Sequence, residues 1–278
     1  MTQSGEVKLN GEAAIDMARL HDKLYLLSKS IFIRRLEYPF TSVGEIGTPD
    51  IKSPHTIVSC SKTSCLYIYD KGADCIWKVS IPDHRLSMWL DKVQEPGALS
   101  VTSNAELLML KNSKPICLEV YNEHAILVRR LKLHASIHSV SSIYETPSGK
   151  YFLLGKQGVL ALKGNGTFIS QFGSSKYKEC WGNPRCFDMS PYHIFLHWFP
   201  NSSGRMISSS DACSSTSNCG PISSLTFDLA SHQSLKTETA GLMAPINSCY
   251  LEKSKQLLVL EGANTWSRTL RIYDVFPA

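Results

Sequence analysis

A short apolar run recurs along this chain at nearly constant spacing, and this period limits the fold more than any other feature. The runs are 24–27 (LYLL), 66–69 (LYIY), 107–110 (LLML), 151–154 (YFLL), 194–199 (IFLHWF) and 257–260 (LLVL). Their first residues are separated by 42, 41, 44 and 43 residues, and then by 63. The long last step contains a Ser- and Cys-rich stretch, 201–221, and removing about twenty residues restores the period. We therefore predict repeated structural units with one loop insertion at 201–221.

Each run has strand-like companions at consistent offsets. In the second unit, HTIVSCS precedes the run and CIWKVSI follows it across a loop, and several units add a fourth segment. The segments are short, rich in β-branched and aromatic residues, and bounded by Gly, Pro, Asn, Asp or Ser. A period of roughly 40 to 45 residues with four strands per unit is typical of a β-propeller. We predict an all-β fold over residues 1–278, a single domain in the form of a six-bladed β-propeller of four-stranded antiparallel blades.

The two ends of the chain complement each other. The last unit ends at LRIYDVFPA and has no fourth strand of its own, whereas EVKLN at 6–10 precedes the first complete unit. Pairing these segments would close the ring and remove an exposed sheet edge. We therefore predict that the N-terminal and C-terminal strands share one blade.

Two units resemble NHL repeats. The stretch YIYDKGADCIWKVSI at 67–81 has an Asp-containing turn between two strands, and 146–173 adds an S-G-K turn and the closing pattern G-x-F-x-x-x-F-G. The other units share the period, but most of them lack the Gly-Asn turn and the Asp after the middle strand. The resemblance implies a platform that binds proteins or RNA, often as the C-terminal module of a larger ligase-type protein. We accordingly expect a monomeric propeller, within a multidomain protein if the chain is a fragment.

Composition and charge indicate which partners and which cellular compartment suit the chain. The net charge of +5 is mildly basic and compatible with an acidic partner or with RNA. The nine cysteines are an odd number, and the N-terminus carries no apolar leader, which argues against a secreted disulfide framework. No apolar run approaches the ~20 residues that a membrane span needs. We predict a cytoplasmic protein that does not enter membranes, with cysteines that act mainly as small buried apolar side chains.

Basic and aromatic residues gather in loops that a propeller places on one face. In this fold, the loop between the second and third strands of a blade shares a face with the loop between blades. Such residues suit an acidic peptide or a phosphate backbone with stacked bases. The predicted binding residues are Lys29, Lys71, Lys111, Lys156, Tyr177, Trp181, Arg185, Trp266 and Arg268.

Two function classes follow from these patterns. The first is a non-enzymatic interaction module that binds a protein partner, with RNA as a variant. The second is a calcium-dependent hydrolase of the lactonase or esterase type, which needs carboxylates and amides at equal depth on the ring axis. The innermost segments offer such side chains, but at unmatched positions in their strands: Asp16, Asn104, Glu145, Asp188 and Asn247. The sequence therefore favours the interaction module, without a metal or another cofactor.

The cysteines leave one alternative open. Cys180 with Cys186, and Cys213 with Cys219, could form pairs or a metal site. The spacing of five intervening residues is not a recognised zinc spacing, and C-x2-C is absent.

Overall fold

In the part of the chain that the computed structural model describes, all of the regular secondary structure consists of short strands joined by turns and loops. The described residues are 2–10, 14–29, 32–94, 96–111, 114–134, 137, 140–146, 148–155, 158–172, 184–189, 193–198, 222–226, 232–235, 245–262 and 267–275. The insertion at 201–221 lies outside them, as do Cys180, Cys213 and Cys219. Among the described residues, no helix could cross a membrane.

The strands follow one another at short intervals. The first twelve are β1 (Thr2–Asn10), β2 (Ala14–Leu20), β3 (Lys23–Ser28), β4 (Phe32–Glu37), β5 (Thr41–Gly47), β6 (Pro54–Cys60), β7 (Cys65–Asp70), β8 (Cys75–Ser80), β9 (Leu86–Leu90), β10 (Pro96–Val101), β11 (Leu107–Lys111) and β12 (Cys117–Tyr121). The others are β13 (Leu127–Lys132), β14 (Val140–Glu145), β15 (Tyr151–Gly155), β16 (Gly158–Leu162), β17 (Phe168–Phe172), β18 (Pro184–Met189), β19 (His193–Trp198), β20 (Ile222–Thr226), β21 (His232–Leu235), β22 (Pro245–Leu251), β23 (Gln256–Gly262) and β24 (Ser267–Asp274).

These strands form six four-stranded antiparallel sheets arranged in a ring. We number the sheets as blades: blade 1 is β2–β5, blade 2 is β6–β9, blade 3 is β10–β13, blade 4 is β14–β17 and blade 5 is β18–β21. Blade 6 has the order β1-β24-β23-β22, so the first strand of the chain pairs with the last. The innermost strands β2, β6, β10, β14, β18 and β22 contact one another in turn, and β22 contacts β2. The predicted propeller of four-stranded blades, with both chain ends in one blade, is confirmed.

The second strand of a blade is buried on both faces because a neighbouring blade covers each side. All six residues of β7 are buried, as are all five of β15. Tyr25 and Leu27 of blade 1, for example, pack in one apolar cluster with Leu66 and Ile68 of blade 2. The apolar runs therefore do not alternate, which is the pattern of strands covered on both faces.

The outermost strands have the opposite character. β9, β13 and β17 contain no fully buried residue, and β13 carries Arg129 and Arg130 near its middle. Charge on an open edge strand discourages pairing with another chain. Two other outermost strands each bury one apolar side chain: β5 of blade 1 buries Ile46, and β1 of blade 6 buries Leu9, which is only 3% exposed.

Ring closure through β1 is testable at Leu9. This side chain belongs to the apolar cluster that contains Leu260 and Leu270. We expect Leu9→Ala to lower the free energy of unfolding by about 2–4 kcal/mol, because truncation leaves a cavity at the closing strand. Denaturant titration followed by circular dichroism measures the change. Lys8→Ala, at the exposed neighbouring position, is the matched control, and equal effects of the two substitutions would contradict closure through β1.

Candidate functional site

A cavity of about 1260 Å³ lies inside the ring. Most of the described residues that line it belong to β2, β6, β10, β14 and β22 and extend from one end of these strands to the other, and the rest belong to loops and turns at the two ends. The cavity therefore runs along the axis and has a mouth on each face of the ring. Its wall is rich in hydroxyl groups, supplied by Thr56, Ser59, Ser100, Ser142 and Ser248.

Asp16 and Asn247 occupy equivalent depths on the cavity wall. In β2, Asp16 pairs with Leu27, the last residue of its apolar run. In β22, Asn247 pairs with Leu260, which is also the last residue of its run. The sequence-based view that these two residues lie at unmatched positions is therefore wrong. Their equal depth is visible only from the register between the first and second strands, and this register requires knowing which residues pair.

The Asp16 carboxylate connects three innermost strands. It accepts hydrogen bonds from the backbone N–H groups of Met17 at 2.9 Å and Ile57 of β6 at 2.8 Å. It also accepts one from the side-chain Nδ2 of Asn247, and this Nδ2 donates to the carbonyl of Met17 at 3.1 Å as well. Side chains at this depth thus reach from blade 6 to blade 1, and from blade 1 to blade 2.

A second set of hydrogen bonds joins the same three blades at the other end of the strands. Arg19 Nη1 donates to the carbonyl of Tyr250 in blade 6 at 2.9 Å, and the Ser59 hydroxyl of blade 2 donates to the carbonyl of Arg19. The corresponding residue in β10 is Val101, since it pairs with the first residue of its apolar run. A valine side chain cannot form such a bond, so this chain of hydrogen bonds does not continue from blade 2 to blade 3.

The other three candidates for an axial metal site lie elsewhere. Asn104 sits in the exposed turn after β10, and Glu145, at the end of β14, lies 3.9 Å from the Arg129 guanidinium. Asp188 lies in β18, where it pairs with Phe195. Among the described residues, no group of three His, Cys, Asp or Glu side chains is placed to hold a metal ion. No observation on these residues supports the hydrolase alternative.

The predicted binding residues separate into different environments. Lys29 is exposed and lines one mouth of the cavity. Lys71 lies in the exposed turn after β7, and Arg268 donates from Nε to the carbonyl of Ala14 at 2.9 Å. Arg185 lies in β18. Four of the predicted residues lie outside the described part of the chain: Lys156, Tyr177, Trp181 and Trp266.

Lys111 belongs to a structural ion network. Its Nζ lies 3.0 Å from the buried Glu119 carboxylate, which also accepts from Arg130 Nε at 2.8 Å and from the Tyr121 hydroxyl at 2.7 Å. Burial alone would raise the pKa of Glu119, but these three donors outweigh it and hold the pKa below its usual value. The Lys111 charge is therefore already matched by a buried carboxylate.

Asp70 organises the loops on the face that carries Lys29. The carboxylate is fully buried and accepts from the backbone N–H groups of Lys52, Ser53 and Gly72 at 2.8–2.9 Å, and from the Trp77 indole at 3.3 Å. Burial favours a higher pKa, but the N–H donors prevail and lower it. The carboxylate therefore stays charged while it joins the loop between blades 1 and 2 to the turn after β7. The sequence showed only an Asp at the end of an apolar run.

Comparison with known proteins shows the fold. No protein-family model and no curated protein matches the sequence. Among solved structures, the chain is similar to Kuenenia stuttgartiensis hydrazine synthase, with a TM-score of 0.63, 10% identity, and coverage of 93% of this chain and 79% of that one. A nidogen/laminin complex gives a TM-score of 0.59, 9% identity and coverage of 80% and 79%. The WD40 β-propeller domain of Doa1 gives 0.58, 14% identity and coverage of 97% and 95%. The protein is thus a β-propeller, and membership of the NHL family stays a prediction.

The buried position of Asp16 predicts a distinct pH dependence of stability. Burial raises the pKa of Asp16 to about 6, against the hydrogen bonds from Ile57, Met17 and Asn247 that lower it. The folded protein thus holds this proton more tightly than the unfolded chain does. The stabilisation is complete below the unfolded pKa of 3.8 and is lost as the pH rises through about 6.

We compare the wild-type protein with Asp16→Asn, an isosteric side chain that does not titrate. The free energy of unfolding of the wild type, relative to the variant, should increase by about 2–3 kcal/mol between pH 7 and pH 4. Urea titrations at each pH measure both proteins under the same conditions. A difference that stays constant over this range would show that Asp16 keeps an ordinary pKa.

The hydrogen bonds to Asp70 predict a large loss of stability when its carboxylate is removed. Asp70→Ala leaves three backbone N–H groups and the Trp77 indole without their acceptor, so we expect a loss of about 2–4 kcal/mol in unfolding free energy. Asp70→Asn should fall between the variant and the wild type because one acceptor oxygen remains. Denaturant titrations followed by circular dichroism measure the change. Asp50→Ala, in the neighbouring exposed turn, is the control and should change stability by less than about 0.5 kcal/mol.

Proposed function

We propose that this propeller is a non-enzymatic interaction module, a ring of six blades that binds an acidic segment of a protein partner at one mouth of its axial cavity. The lysine mouth, as we term it, is lined by Lys29 and Ser53, and Lys52 adjoins Ser53. Lys29 and Lys52 are exposed, and neither makes an ion pair with a described carboxylate. Their charge is available to a ligand.

The turn after β7 brings a third lysine near this mouth. The backbone N–H of Lys71 donates to the carbonyl of Ser53 at 2.9 Å, and a Cβ on Gly72 would lie 3.0 Å from the Cβ of Lys52. The Asp70 carboxylate fixes both loops through its bonds to their N–H groups. Exposed lysines on loops held by a buried anchor suit recognition of an acidic ligand with little loss of loop entropy.

At the opposite mouth the described cations that line the cavity are already bonded, Arg19 to the backbone carbonyls of His21 and Tyr250 and Lys253 to a carboxylate. This contrast is the observation that carries the proposal. There, Lys253 Nζ lies 2.8 Å from the Asp22 carboxylate, and both side chains line the cavity. The hydrogen bond to Lys253 lowers the pKa of Asp22, so this carboxylate remains charged against the lysine. An acidic segment should therefore prefer the lysine mouth, although both mouths open into the same cavity.

A protein ligand is favoured over RNA by the described residues at this mouth. Base stacking needs exposed aromatic rings beside the lysines. The exposed ring beside Ser53 among the described lining residues is the His55 imidazole, and it is already in edge contact with the buried Tyr69 ring. One of the similar solved structures is a complex of two proteins, nidogen and laminin. Cytoplasmic location and a monomeric ring remain expectations from the sequence.

The proposal is tested with defined probes. Fluorescence anisotropy measures binding of a labelled eight-residue glutamate peptide, a glutamine peptide of equal length and a uridine octamer, across a salt series. We expect the glutamate peptide to bind most tightly and the double substitution Lys29→Gln with Lys52→Gln to weaken it roughly tenfold, since each lost contact removes about 0.5–1 kcal/mol.

The matched control carries the same charge change on the other face. Lys62→Gln with Lys150→Gln alters two exposed lysines in the turns after β6 and β14. Equal weakening by both double variants would show that only net charge matters and would refute a site at the lysine mouth. Tighter binding of the uridine octamer, with a steep dependence on salt, would instead favour the RNA-binding reading.

A further inference from the structure

The innermost strand of each blade turns one backbone edge towards the axial cavity. It is the end strand of its sheet and pairs with the second strand of the same blade. In blade 1, the N–H of Met17 donates to the Asp16 carboxylate at 2.9 Å and its carbonyl accepts from Asn247 at 3.1 Å. Both groups of Met17 therefore point away from β3. In an antiparallel pair this direction recurs at every second residue, so alternate residues offer a donor and an acceptor to the cavity.

Strand register identifies the residues that correspond to Met17 in other blades. In all six blades, the pairing of the innermost strand with the second strand shifts by one residue near its start. Counted from this shift, the equivalents of Met17 include Ile57 in β6, Leu99 in β10 and Ile143 in β14, and all of them line the cavity. The N–H of Ile57 donates to Asp16 at 2.8 Å, as this equivalence requires. The N–H and carbonyl groups of Leu99 and Ile143 accordingly face the cavity.

These backbone groups are bonded in blades 1 and 2 but open in blades 3 and 4. The residue of β10 at the depth of Asp16 is Ala98, which has no polar group to reach the next strand. Within the described residues, no side chain or loop forms a hydrogen bond with Leu99 or Ile143 at this edge. An open strand edge is a template for pairing with another extended chain.

The cavity has room for one extended chain beside these edges. Its volume of about 1260 Å³ extends along the six residues of β10, which span roughly 20 Å, so its mean cross-section is about 60 Å². A strand occupies about 50 Å², because it lies ~4.8 Å from the next strand and ~10 Å from the next sheet. A loop that enters and returns needs twice this area. The dimensions therefore favour the end of a chain over a loop within it.

The charge along the wall divides such a ligand into two parts. Lys29 and Lys52 at the lysine mouth favour acidic residues. Deeper in the cavity, the Asp16 carboxylate disfavours a second negative charge, and the wall near the open edges carries the hydroxyl groups of Ser100 and Ser142. A segment with acidic residues at the mouth and an uncharged tail of small residues inside matches both regions.

We propose that the ligand of the lysine mouth is the extended end of a protein chain, whose uncharged tail enters the cavity and pairs through its backbone with Leu99 and Ile143. Backbone hydrogen bonds supply the affinity, and the width of the cavity selects small side chains. Ile57, at the depth of the open edges, lies four residues beyond Ser53 of the mouth, roughly 13 Å along the strand. A tail of six residues therefore reaches them. This inference rests on the proposed function, since the acidic part of the ligand occupies the lysine mouth.

The open edges are tested first without a ligand. Amide hydrogen exchange, measured for single residues by NMR, compares Leu99 and Ile143 with Ile57, whose N–H is already bonded to Asp16. We expect the amides of Leu99 and Ile143 to exchange roughly tenfold or more faster than that of Ile57. Equal protection of the three amides in the free protein would overturn the proposal, because the edges would then be paired already.

Three labelled peptides then test the pairing by fluorescence anisotropy on the full chain. The first has four glutamates, the second adds a tail of six serines with a blocked, uncharged end, and the third carries the same tail with every serine amide N-methylated. The tailed peptides are also made with the tail at the opposite end, which allows for either strand direction. We expect the serine tail to tighten binding roughly tenfold and to slow exchange at Leu99 and Ile143. The N-methylated tail, which has no N–H donors, should add much less.

Substitutions at Ala98 provide the matched variants. Ala98→Asn places at this depth a side chain like that of Asn247, which bonds the backbone of the next strand. It should remove the gain from the serine tail and leave binding of the four-glutamate peptide unchanged. Ala98→Val adds similar bulk without a polar group and should keep the gain. Circular dichroism melting identifies a variant that does not fold, and the peptide comparison on the wild type needs no variant.

The two proposals fail in different ways. A serine tail that adds no affinity, or an N-methylated tail that adds as much, would overturn the pairing inside the cavity. The lysine mouth would still stand if Lys29→Gln with Lys52→Gln weakened binding of the four-glutamate peptide. Binding of none of the three peptides would overturn both proposals.

Discussion

The central constraint on this molecule is that no blade can cover its own apolar faces. The second strand of a blade is buried on both sides, as in β7 and β15, so a neighbour must stand on each side of every blade. A row of such sheets leaves two bare faces at its ends, and closure into a ring removes both. Pairing of β1 with β24 supplies that closure with backbone hydrogen bonds between the two ends of the chain.

Apolar contacts join the blades but are not directional. The hydrogen bonds along the axis are directional, and they fix the position of one innermost strand relative to the next. Asp16, Asn247 and Arg19 tie blades 6, 1 and 2 through backbone groups of the next strand. These blades include the one completed by both chain ends. A buried carboxylate that bridges three strands holds their relative depth, because a shift by one residue would leave it without its donors.

Buried acidic side chains surrounded by hydrogen-bond donors also occur away from the axis, and the role of each depends on which groups donate to it. At Asp70, N–H donors from two loops surround a carboxylate and hold the loops that carry Lys52 and Lys71. At Glu119 the donors include two cations. The charge of Lys111 is therefore neutralised within the blade and does not contribute to ligand binding.

The strand pattern, the four-stranded unit and the closure by the two chain ends could all be predicted from the amino-acid sequence. These features follow from a regular period of apolar runs and from the missing fourth strand, both of which are local properties of the chain. Which polar residues meet could not be predicted, because it depends on strand register. Asp16 and Asn247 are 231 residues apart, and their equal depth depends on strand register. The pairing of Lys111 with Glu119 depends on the partner strand. Charge in a loop can be read from residue type, but whether that charge is free or neutralised depends on which strand lies beside it.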